Sequence, residues 1–497
     1  MKSVLEFFEK WWLPTLLVLA ALPRVGLACF EHGVNHPDEI FQMLEPAHRW
    51  VYGYGIQSWE FRDGARSWLL PGLLALSWKF LALLGLSSPL AVVPLLRAPF
   101  VAAAIYAVYL ASRLAAKLSG DAASILACLL AAFMPLALVL DFRTTTEAAS
   151  APVVLLTVLA IVDGRFVRAG AWAALLVFLR PSNGLVLLCV IGGLVFEGRL
   201  RDLARFAMGA WPVALAGGLL DWPTWGSPFH HLVEYVRFNW LESGASAFGT
   251  EPFWTYGIVL LAAALPLAIC LPPATFGLLR RIPKGRMPLA IALLYVSAHS
   301  AFAHKEPRFL LPVLPLIGAL TASGLVALLG PWVARRATNR YARASILALG
   351  SAAIILYGTL GAASLTFADL GDVRGEARDH LLFGHRDSVN RLLVQAGDQP
   401  DLCGMLILGL MPNELFSGGN TYLHRDVILT SPRSKELWTL MSKAANYAIA
   451  PGVPGPPGWQ RVAERDGVTL LKRQGGCISL PEEYRPKYSR PPTSRTN

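Results

Sequence analysis

Three short segments of this 497-residue chain gather charged and titratable side chains within an otherwise apolar sequence. In "HPDEIFQ", Asp38 and Glu39 stand side by side behind His36, while the second segment runs from Asp221 through "SPFHHLVEYVRFNW" and the third is "HKEPRF" at 304–309. A carboxylate at a lipid surface suits general-base work, because partial desolvation raises its pKa. Clustered Lys, Arg and His side chains suit phosphate binding. Together the segments predict that a base activates a hydroxyl while a lipid-borne phosphate leaves.

Each segment also fits a purely structural role. Phe41, Leu44, His48 and Val51 follow the spacing of an amphipathic helix lying along the membrane surface, and an aspartate such as Asp38 can cap that helix. The tryptophans and tyrosines beyond it fit a membrane-interface belt as well as a stacking surface for sugars. "HKEPRF" fits cationic side chains reaching from a helix end toward water. The residues alone leave both kinds of role open.

Membrane helices must position these segments. Hydrophobic residues make up 54% of the chain and charged residues 15%, against ~25% in soluble domains. Crossing the hydrocarbon takes ~20 apolar residues in a helix. The net charge of +11 is then mainly a matter of orientation, and we expect no nucleic-acid partner. About eleven transmembrane helices are predicted, at residues 11–29, 69–86, 89–112, 122–141, 145–163, 170–197, 206–220, 255–278, 288–303, 309–330 and 345–367.

Basic loops predict the orientation. One short loop carries Arg280, Arg281 and Lys284, and another begins at Arg335, and neither holds an acidic residue. Loops of this kind stay on the cytoplasmic side. The three chemical segments then face the extracytoplasmic side, which is periplasmic in a bacterium, where the membrane is the plasma membrane, or lumenal in the endoplasmic reticulum.

We divide the chain into a transmembrane catalytic domain at 1–367 with an outer loop at 30–68, an extracytoplasmic α/β-like domain at 368–480, and a disordered tail at 481–497. "MLILGL" (405–410) and "DVILT" (426–430) predict buried strands, and "SVNRLLVQAG" (388–397) predicts a helix. Cys403 and Cys477 both fall in this outer part, where a disulfide between them is compatible with the compartment. The six cysteines show no zinc-binding spacing.

Two motifs carry a family resemblance: "HPDEIFQMLEPAHRWVYGYGIQSWEF…ARSWLLPG" and "HKEPRFLLPVLP". They resemble glycosyltransferase family 22, the lipid-phosphate-mannose-dependent mannosyltransferases, and most closely its alpha-1,2 branch that acts in GPI assembly. "DWPTWGSPFHHLVEYVRFNW…FGTEPFWTY" and "SGGNTYLHRDV" are similar to further segments of that family. "RTTTEAAS" keeps Arg143 and Thr144 of a family run but lacks its Asn, and Trp225-Gly226 replaces the usual Tyr-Gly.

The resemblance implies a GT-C membrane fold and an inverting transfer. Mannose would move from polyprenyl- or dolichyl-phosphate mannose to a hydroxyl of a glycan or glycolipid, forming an alpha-mannoside. Asp38 would be the general base, with Glu39 as the second candidate or as a group that orients the acceptor. No metal is expected to be obligatory, and an Mg²⁺ ion between Asp38, Glu39 and Asp221 is the open alternative. The expected substrate-binding residues are His36, Gln42, Glu45, Arg66, Asp221, His304, Lys305, Glu306 and Arg308.

Two other functions are weighed against this one. A GT-C transferase for a different lipid-linked sugar, such as glucose or aminoarabinose, would use the same groups, because mannose rests on the resemblance. A transporter of lipids or sugars would favour charges deep within its spans and inverted repeats. The polar residues here gather in outer loops, which favours the enzyme. The expected partners are therefore the lipid-linked donor, the acceptor and membrane lipid.

Overall fold

The computed structural model describes residues 2–263, 265–336, 340–366, 381–384, 386–409, 417–432, 435–451 and 455–480. The chain is mostly helical, as the sequence predicts. The helices are α1 Lys2–Phe30, α2 Pro37–Glu39, α3 Glu45–Tyr52, α4 Trp59–Arg62, α5 Leu69–Leu83, α6 Pro89–Ser119, α7 Asp121–Ala132, α8 Pro135–Leu140, α9 Thr146–Val162, α10 Phe166–Leu179, α11 Gly184–Phe196, α12 Leu200–Trp225, α13 His230–Val236, α14 Thr255–Ala263, α15 Leu265–Arg281, α16 Arg286–Ala301, α17 Leu314–Arg336, α18 Arg340–Ser364, α19 Asp387–Gly397, α20 Gly419–Leu423 and α21 Lys435–Ala444.

The described residues form two compact units. The first, called here the helical unit, comprises the described residues within 2–27 and 98–382. The second, called the mixed unit, comprises those within 28–97 and 383–480, and so joins the first outer loop to the strands near the carboxyl end. The mixed unit contains the predicted "HPDE" segment, and the helical unit contains Asp221 and "HKEPRF".

The chain is an integral membrane protein by the length and apolar character of its helices. Within the described part, four helical stretches are long and apolar enough to cross a bilayer: Trp11–Phe30, Pro89–Ser119, Leu200–Trp225 and Leu314–Val333. Thr255–Ala262 and Leu267–Arg281 meet at 108° and make a fifth if they count as one broken span. Shorter apolar helices occupy most of the other predicted runs, so the count of eleven stays a prediction.

Two predicted spans are interrupted by proline. The run 170–197 ends its first helix at Leu179, leaves Arg180 extended at φ −157°, and restarts as α11 at Gly184. Pro181 explains this break, because its ring disfavours helical geometry in the residue before it. The run 122–141 is split in the same way ahead of Pro135.

Glycine allows α10 and α12 to pack closely in the helical unit. A Cβ placed on Gly170 would lie 1.9 Å from the carbonyl oxygen of Phe206, and one on Gly209 would lie 1.8 Å from that of Val167. No side chain fits there, so the two backbones touch, as in membrane helix pairs that use small residues at their contact. This contact supports α10, at whose end Arg180 stands.

The mixed unit contains a five-stranded mixed sheet in the order β2-β1-β3-β5-β4. Its strands are β1 Gly404–Ile407, β2 Ile428–Thr430, β3 Tyr447–Pro451, β4 Trp459–Arg465 and β5 Val468–Arg473. The first three are parallel, and β5 is antiparallel to both neighbours. Asp466 and Gly467 have φ of 46° and 75°, the pair that a tight hairpin turn between β4 and β5 requires.

The three elements that the sequence predicts in this part are present. β1 and β2 overlap the two predicted strands, and α19 covers the predicted helix. A disulfide joins Cys403 to Cys477, with Cα atoms 5.9 Å apart. The predicted tail at 481–497 and the domain boundary at 368 lie outside the described residues.

Candidate active site

The "HPDE" motif forms a tight helical start in the mixed unit. His36 is the N-cap of α2: its Nδ1 accepts a hydrogen bond from the backbone N–H of Asp38 at 3.2 Å. The alternative in which Asp38 caps the helix is therefore wrong, because Asp38 lies within α2 and His36 occupies the N-cap position. Asp38 keeps its carboxylate, with 21% of the side chain exposed and Oδ1 3.6 Å from His36 Nδ1.

Glu39 has a different environment from its neighbour. Its side chain is 1% exposed, and Oε1 accepts from Arg97 Nη2 at 2.7 Å. The same guanidinium donates from Nη1 to the backbone carbonyl of Glu31. The pair thus ties the first turn of the motif to α6. Of the two adjacent carboxylates, Asp38 is the one that retains access to solvent.

A second carboxylate that the sequence reasoning did not single out lies near Asp38. Glu60, on α4, is 8% exposed and accepts from Gln42 Nε2 at 3.0 Å. Burial raises the pKa of Glu60; the positive charge of Arg66 opposes that rise and the negative charge of Asp38 adds to it. Gln42 and Arg66, both predicted substrate-binding residues, are thus brought together with Asp38 around this buried carboxyl. The sequence contained a signal for Glu60, because it is the acidic residue of "SWEF" within the same motif as Asp38.

Glu45 is fully buried and its two carboxylate oxygens accept four hydrogen bonds. The donors are the backbone N–H groups of Ile56, Asn420 and Thr421 and the hydroxyl of Thr421, at 2.7–3.2 Å. These bonds hold the outer loop to α20 within the mixed unit. The predicted role of Glu45 in substrate binding stays a prediction, while this geometry makes it a structural clamp.

Next along the loop, His48 is buried against an aromatic cluster. Its Nε2 lies 3.0 Å from Nδ1 of His424, and its ring meets Trp78 edge-on. Burial lowers the pKa of His48 to about 3, and the neighbouring His424 adds to the effect. The imidazole is therefore neutral at physiological pH and serves packing between α3 and the residue that ends α20.

In the helical unit, Asp221 is paired with a histidine. The carboxylate is fully buried, and Oδ2 lies 2.6 Å from Nδ1 of His231 and accepts from the backbone N–H of the same residue at 3.1 Å. The contact joins the end of α12 to the start of α13. A role of Asp221 toward a sugar hydroxyl stays a prediction, and the structure adds His231 as its partner.

The "HKEPRF" segment forms a charge network between α16 and α17. His304 Nε2 lies 2.8 Å from Glu306 Oε1, and Glu306 Oε2 accepts from Arg308 Nε. Pairing with Glu306 raises the pKa of His304 against the effect of burial. Lys305 is used differently, because its ammonium donates to the carbonyls of Glu251 and Phe302. His304, Glu306 and Arg308 are thus brought together, and Lys305 anchors the turn.

Two residues outside the predicted set complete this network. Glu147 Oε1 accepts from Arg308 Nη1 at 2.8 Å and also from Arg180 Nη1. Glu147 is fully buried, and the two arginines are 5% and 7% exposed. Glu147 belongs to "RTTTEAAS", the segment that departs from the family run, and Arg180 directly precedes the proline that interrupts the predicted span 170–197. The contact between Glu147 and Arg180 could not be predicted from the sequence, because the two residues are 33 positions apart.

Asp38 and Glu39 therefore belong to the mixed unit, whereas Arg180 and Arg308 belong to the helical unit. The described residues contain no group of three or more His, Cys, Asp or Glu side chains arranged to hold a metal ion. The chemistry available is that of a partly exposed carboxylate in one unit and a buried pair of guanidinium groups in the other.

Sequence comparison relates the chain to known proteins. The model of the Alg9-like mannosyltransferase family matches residues 15–368. GPI mannosyltransferase 3 of Yarrowia lipolytica is 33% identical over 333 residues, covering 63% of this chain and 62% of that protein. Mannosyltransferase APTG1 of Arabidopsis thaliana is 30% identical, covering 58% of this chain and 54% of that protein. The chain thus spans less than two thirds of the length of these curated relatives.

Solved structures with little sequence identity share the fold. ArnT from Cupriavidus metallidurans in the apo state has a TM-score of 0.58 at 14% identity, covering 93% of this chain and 98% of that one. The archaeal oligosaccharyltransferase AglB from Archaeoglobus fulgidus, in complex with an inhibitory peptide and a dolichol-phosphate, has a TM-score of 0.55 at 13% identity, covering 89% and 70%. The GT-C-like fold expected from the sequence is confirmed at this level.

Proposed function

Because the chain belongs to the Alg9-like mannosyltransferase family, we propose that it is an inverting membrane mannosyltransferase. The family predicted from the "HPDE" and "HKEPRF" motifs is confirmed by the match over residues 15–368. The donor is polyprenyl- or dolichyl-phosphate mannose, and the acceptor is a hydroxyl of a glycan or glycolipid. The product is an alpha-mannoside and a lipid phosphate.

The observation that carries the mechanism is the difference between Asp38 and Glu39. A general base must reach the proton that it takes, and a carboxylate ion-paired to a buried guanidinium cannot. Asp38 is 21% exposed, whereas Glu39 is 1% exposed and bound to Arg97. Asp38 therefore accepts the proton of the acceptor hydroxyl, and Glu39 positions the turn that carries Asp38. Glu60 is 8% exposed and accepts from Gln42 Nε2, so it is also less accessible to an acceptor hydroxyl than Asp38 is.

The step is a single displacement at the anomeric carbon of mannose. The acceptor oxygen forms the new bond as Asp38 takes its proton, and the bond from carbon to the phosphate oxygen breaks with its electron pair going to the lipid phosphate. The leaving lipid phosphate carries the negative charge, and the guanidinium of Arg308 in the helical unit, with His304 and Glu306 around it, is a group suited to binding such an anion. A phosphate monoester leaves without a diphosphate-binding metal, so we expect activity to persist in EDTA.

The active face is extracytoplasmic in this proposal. The acid-free basic loops support an outer position for the "HPDE" loop and "HKEPRF". The disulfide between Cys403 and Cys477 supports the same side for the carboxyl-terminal part, since disulfides persist in oxidising compartments. Eleven spans and an outer sheet domain belong to the same proposal. A cysteine-labelling test with a membrane-impermeant reagent on Asp63→Cys in intact cells or vesicles reads out the face directly.

Transfer by the purified protein is the decisive experiment. The protein in detergent receives polyprenyl-phosphate mannose and a panel of mannoside acceptors, and NMR of the product gives the linkage and anomer. We expect Asp38→Asn to lower the rate by about 10²–10⁴-fold, the usual contribution of a general base. Asp63→Asn, a carboxylate of the same outer loop, is the matched control and should transfer like the wild type.

Four results would count against the proposal. Full activity of Asp38→Asn would show that Asp38 is not the general base. A beta-mannoside product would show that the transfer is not an inverting displacement. A donor carrying another lipid-linked sugar that is used in preference to mannose would move the chain to a different GT-C transferase activity. A strict dependence on added Mg²⁺ after EDTA treatment would replace the metal-free step.

A further inference from the structure

Two arginines in the helical unit share a single carboxylate oxygen. Arg180 and Arg308 both donate to Oε1 of Glu147, while Oε2 accepts from the hydroxyl of Thr146 at 2.8 Å. The two guanidinium groups also lie over the same ring, with their central carbons 4.3 Å and 5.2 Å from the centroid of Phe309. Two planar five-donor forks therefore converge on one small anion.

The location of this oxygen resembles that of a bound phosphate oxygen. Arginine guanidinium groups bind phosphate as well as carboxylate, and two of them already meet at one oxygen here. The cluster is buried but not sealed, since the side chains of His304 and Glu306 beside Arg308 are each 15% exposed. The exposed edge is the side from which an anion could reach the arginines.

Charge also separates this cluster from an ordinary buried ion pair. Arg24 and Asp141, in the same unit, pair one cation with one anion at 2.7 Å. Around Glu147 the two guanidinium groups are balanced by two carboxylates, Glu147 and Glu306, and His304 adds a titratable group. Removal of the Glu147 charge would leave a cationic excess at the point where the two forks meet.

We propose that the phosphate of the lipid-linked donor and of the lipid-phosphate product binds between Arg180 and Arg308 by displacing Glu147, whose carboxylate is an internal stand-in that orients the two guanidinium groups before the phosphate arrives. This inference rests on the proposed function for the identity of the anion. Arg180 is then a phosphate-binding residue, and Glu147 a positioning residue that competes with the ligand. Thr146 retains a hydrogen bond to the displaced carboxylate.

Competition between Glu147 and phosphate predicts a binding result that a purely structural role of Glu147 does not predict. If Glu147 only stabilises the fold, its replacement weakens every property of the protein. If it competes with phosphate, Glu147→Gln keeps the shape, removes the opposing charge, and tightens binding of a phosphate monoester. We expect at least a tenfold decrease in the dissociation constant for this variant.

The test is equilibrium binding to the full chain in detergent, with farnesyl phosphate as the probe and farnesol as the phosphate-free control. We expect Arg180→Ala to raise the dissociation constant for farnesyl phosphate at least tenfold, and Arg180→Lys to fall between it and the wild type, because lysine keeps the charge but not the fork. Farnesol should bind all variants alike. Asp141→Asn, which alters a buried ion pair elsewhere in the unit, is the matched control and should bind like the wild type.

Several results overturn the inference. Unchanged or weaker farnesyl phosphate binding by Glu147→Gln, in protein that elutes as a single folded species, removes the stand-in role. Unchanged binding by Arg180→Ala would show that Arg180 does not bind the phosphate, even if Glu147→Gln fails to fold. Mannose transfer by the wild type alongside either result leaves the proposed function in place. Absent transfer with the expected binding pattern preserves the phosphate site and refutes the transferase.

Discussion

Exchange of both partners of the Glu39–Arg97 pair for apolar residues tests whether Glu39 positions the motif or reacts. Both side chains are at most 1% exposed and their charged atoms lie 2.7 Å apart. Removing either partner alone leaves a buried charge without its counter-ion, which costs about 3–5 kcal/mol of folding free energy. We therefore expect Glu39→Leu and Arg97→Met each to destabilise the protein by that amount.

The double variant Glu39→Leu/Arg97→Met should recover most of this loss. Replacing both charges with apolar side chains is often neutral or stabilising. One cost remains, because Arg97 also donates to the carbonyl of Glu31, and a lost hydrogen bond to a buried acceptor costs about 1–3 kcal/mol. The double variant should thus lie within about 1–3 kcal/mol of the wild type.

Unfolding in mixed micelles, followed by tryptophan fluorescence as SDS is titrated, gives the free energies. Transfer activity is measured per folded molecule for the same proteins, and the double variant should retain it, whereas adding Asp38→Asn should abolish it. The exposed pair Lys117–Asp163, at 2.8 Å, is the control cycle, with an expected effect of about 0–1 kcal/mol. A double variant as unstable as either single variant, or one that folds but transfers nothing, refutes the positioning role of Glu39.

Three further predictions concern stability. Cys403→Ser/Cys477→Ser removes a cross-link between residues 74 apart and should cost about 4 kcal/mol, read from unfolding with and without reductant; equal stability under both conditions would contradict it. Burial lowers the pKa of His48 to about 3, so the unfolded chain binds a proton first below pH 6.5, and the folded state should lose about 2 kcal/mol by pH 5; His48→Gln should lose that dependence, and an unchanged slope would exclude His48 as its source. Burial raises the pKa of Glu60 above 4.5, so the unfolded chain ionises first and the contribution of Glu60 to stability should fall as pH rises through that range. The stability of Glu60→Gln relative to the wild type should therefore increase between pH 4 and pH 7, and a constant difference would exclude Glu60.

The sequence was sufficient for the family, the membrane class and part of the candidate site, whereas Glu60, Glu147 and Arg180 were recognised only in the structure. Apolar runs of span length, an acidic pair after a proline and a basic turn before an apolar run are local properties, so they can be recognised without knowing the fold. β1, β2 and α19 could be predicted for the same reason, because apolar runs and a Gly stop are short-range signals.

The tertiary structure decided how exposed each of these side chains is and what it contacts. Asp38 and Glu39 are adjacent carboxylates in sequence, yet Asp38 is 21% exposed, whereas Glu39 is 1% exposed and meets Arg97 of α6, 58 residues away. Glu147 and Arg180 are likewise 33 residues apart, and their contact depends on a proline break and on α10 packing against its neighbours. The sequence gives the residue types, but desolvation and ion pairing depend on which groups the folded backbone brings within a few ångströms. Desolvation and ion pairing in turn determine the charge and the accessibility of each group at the site.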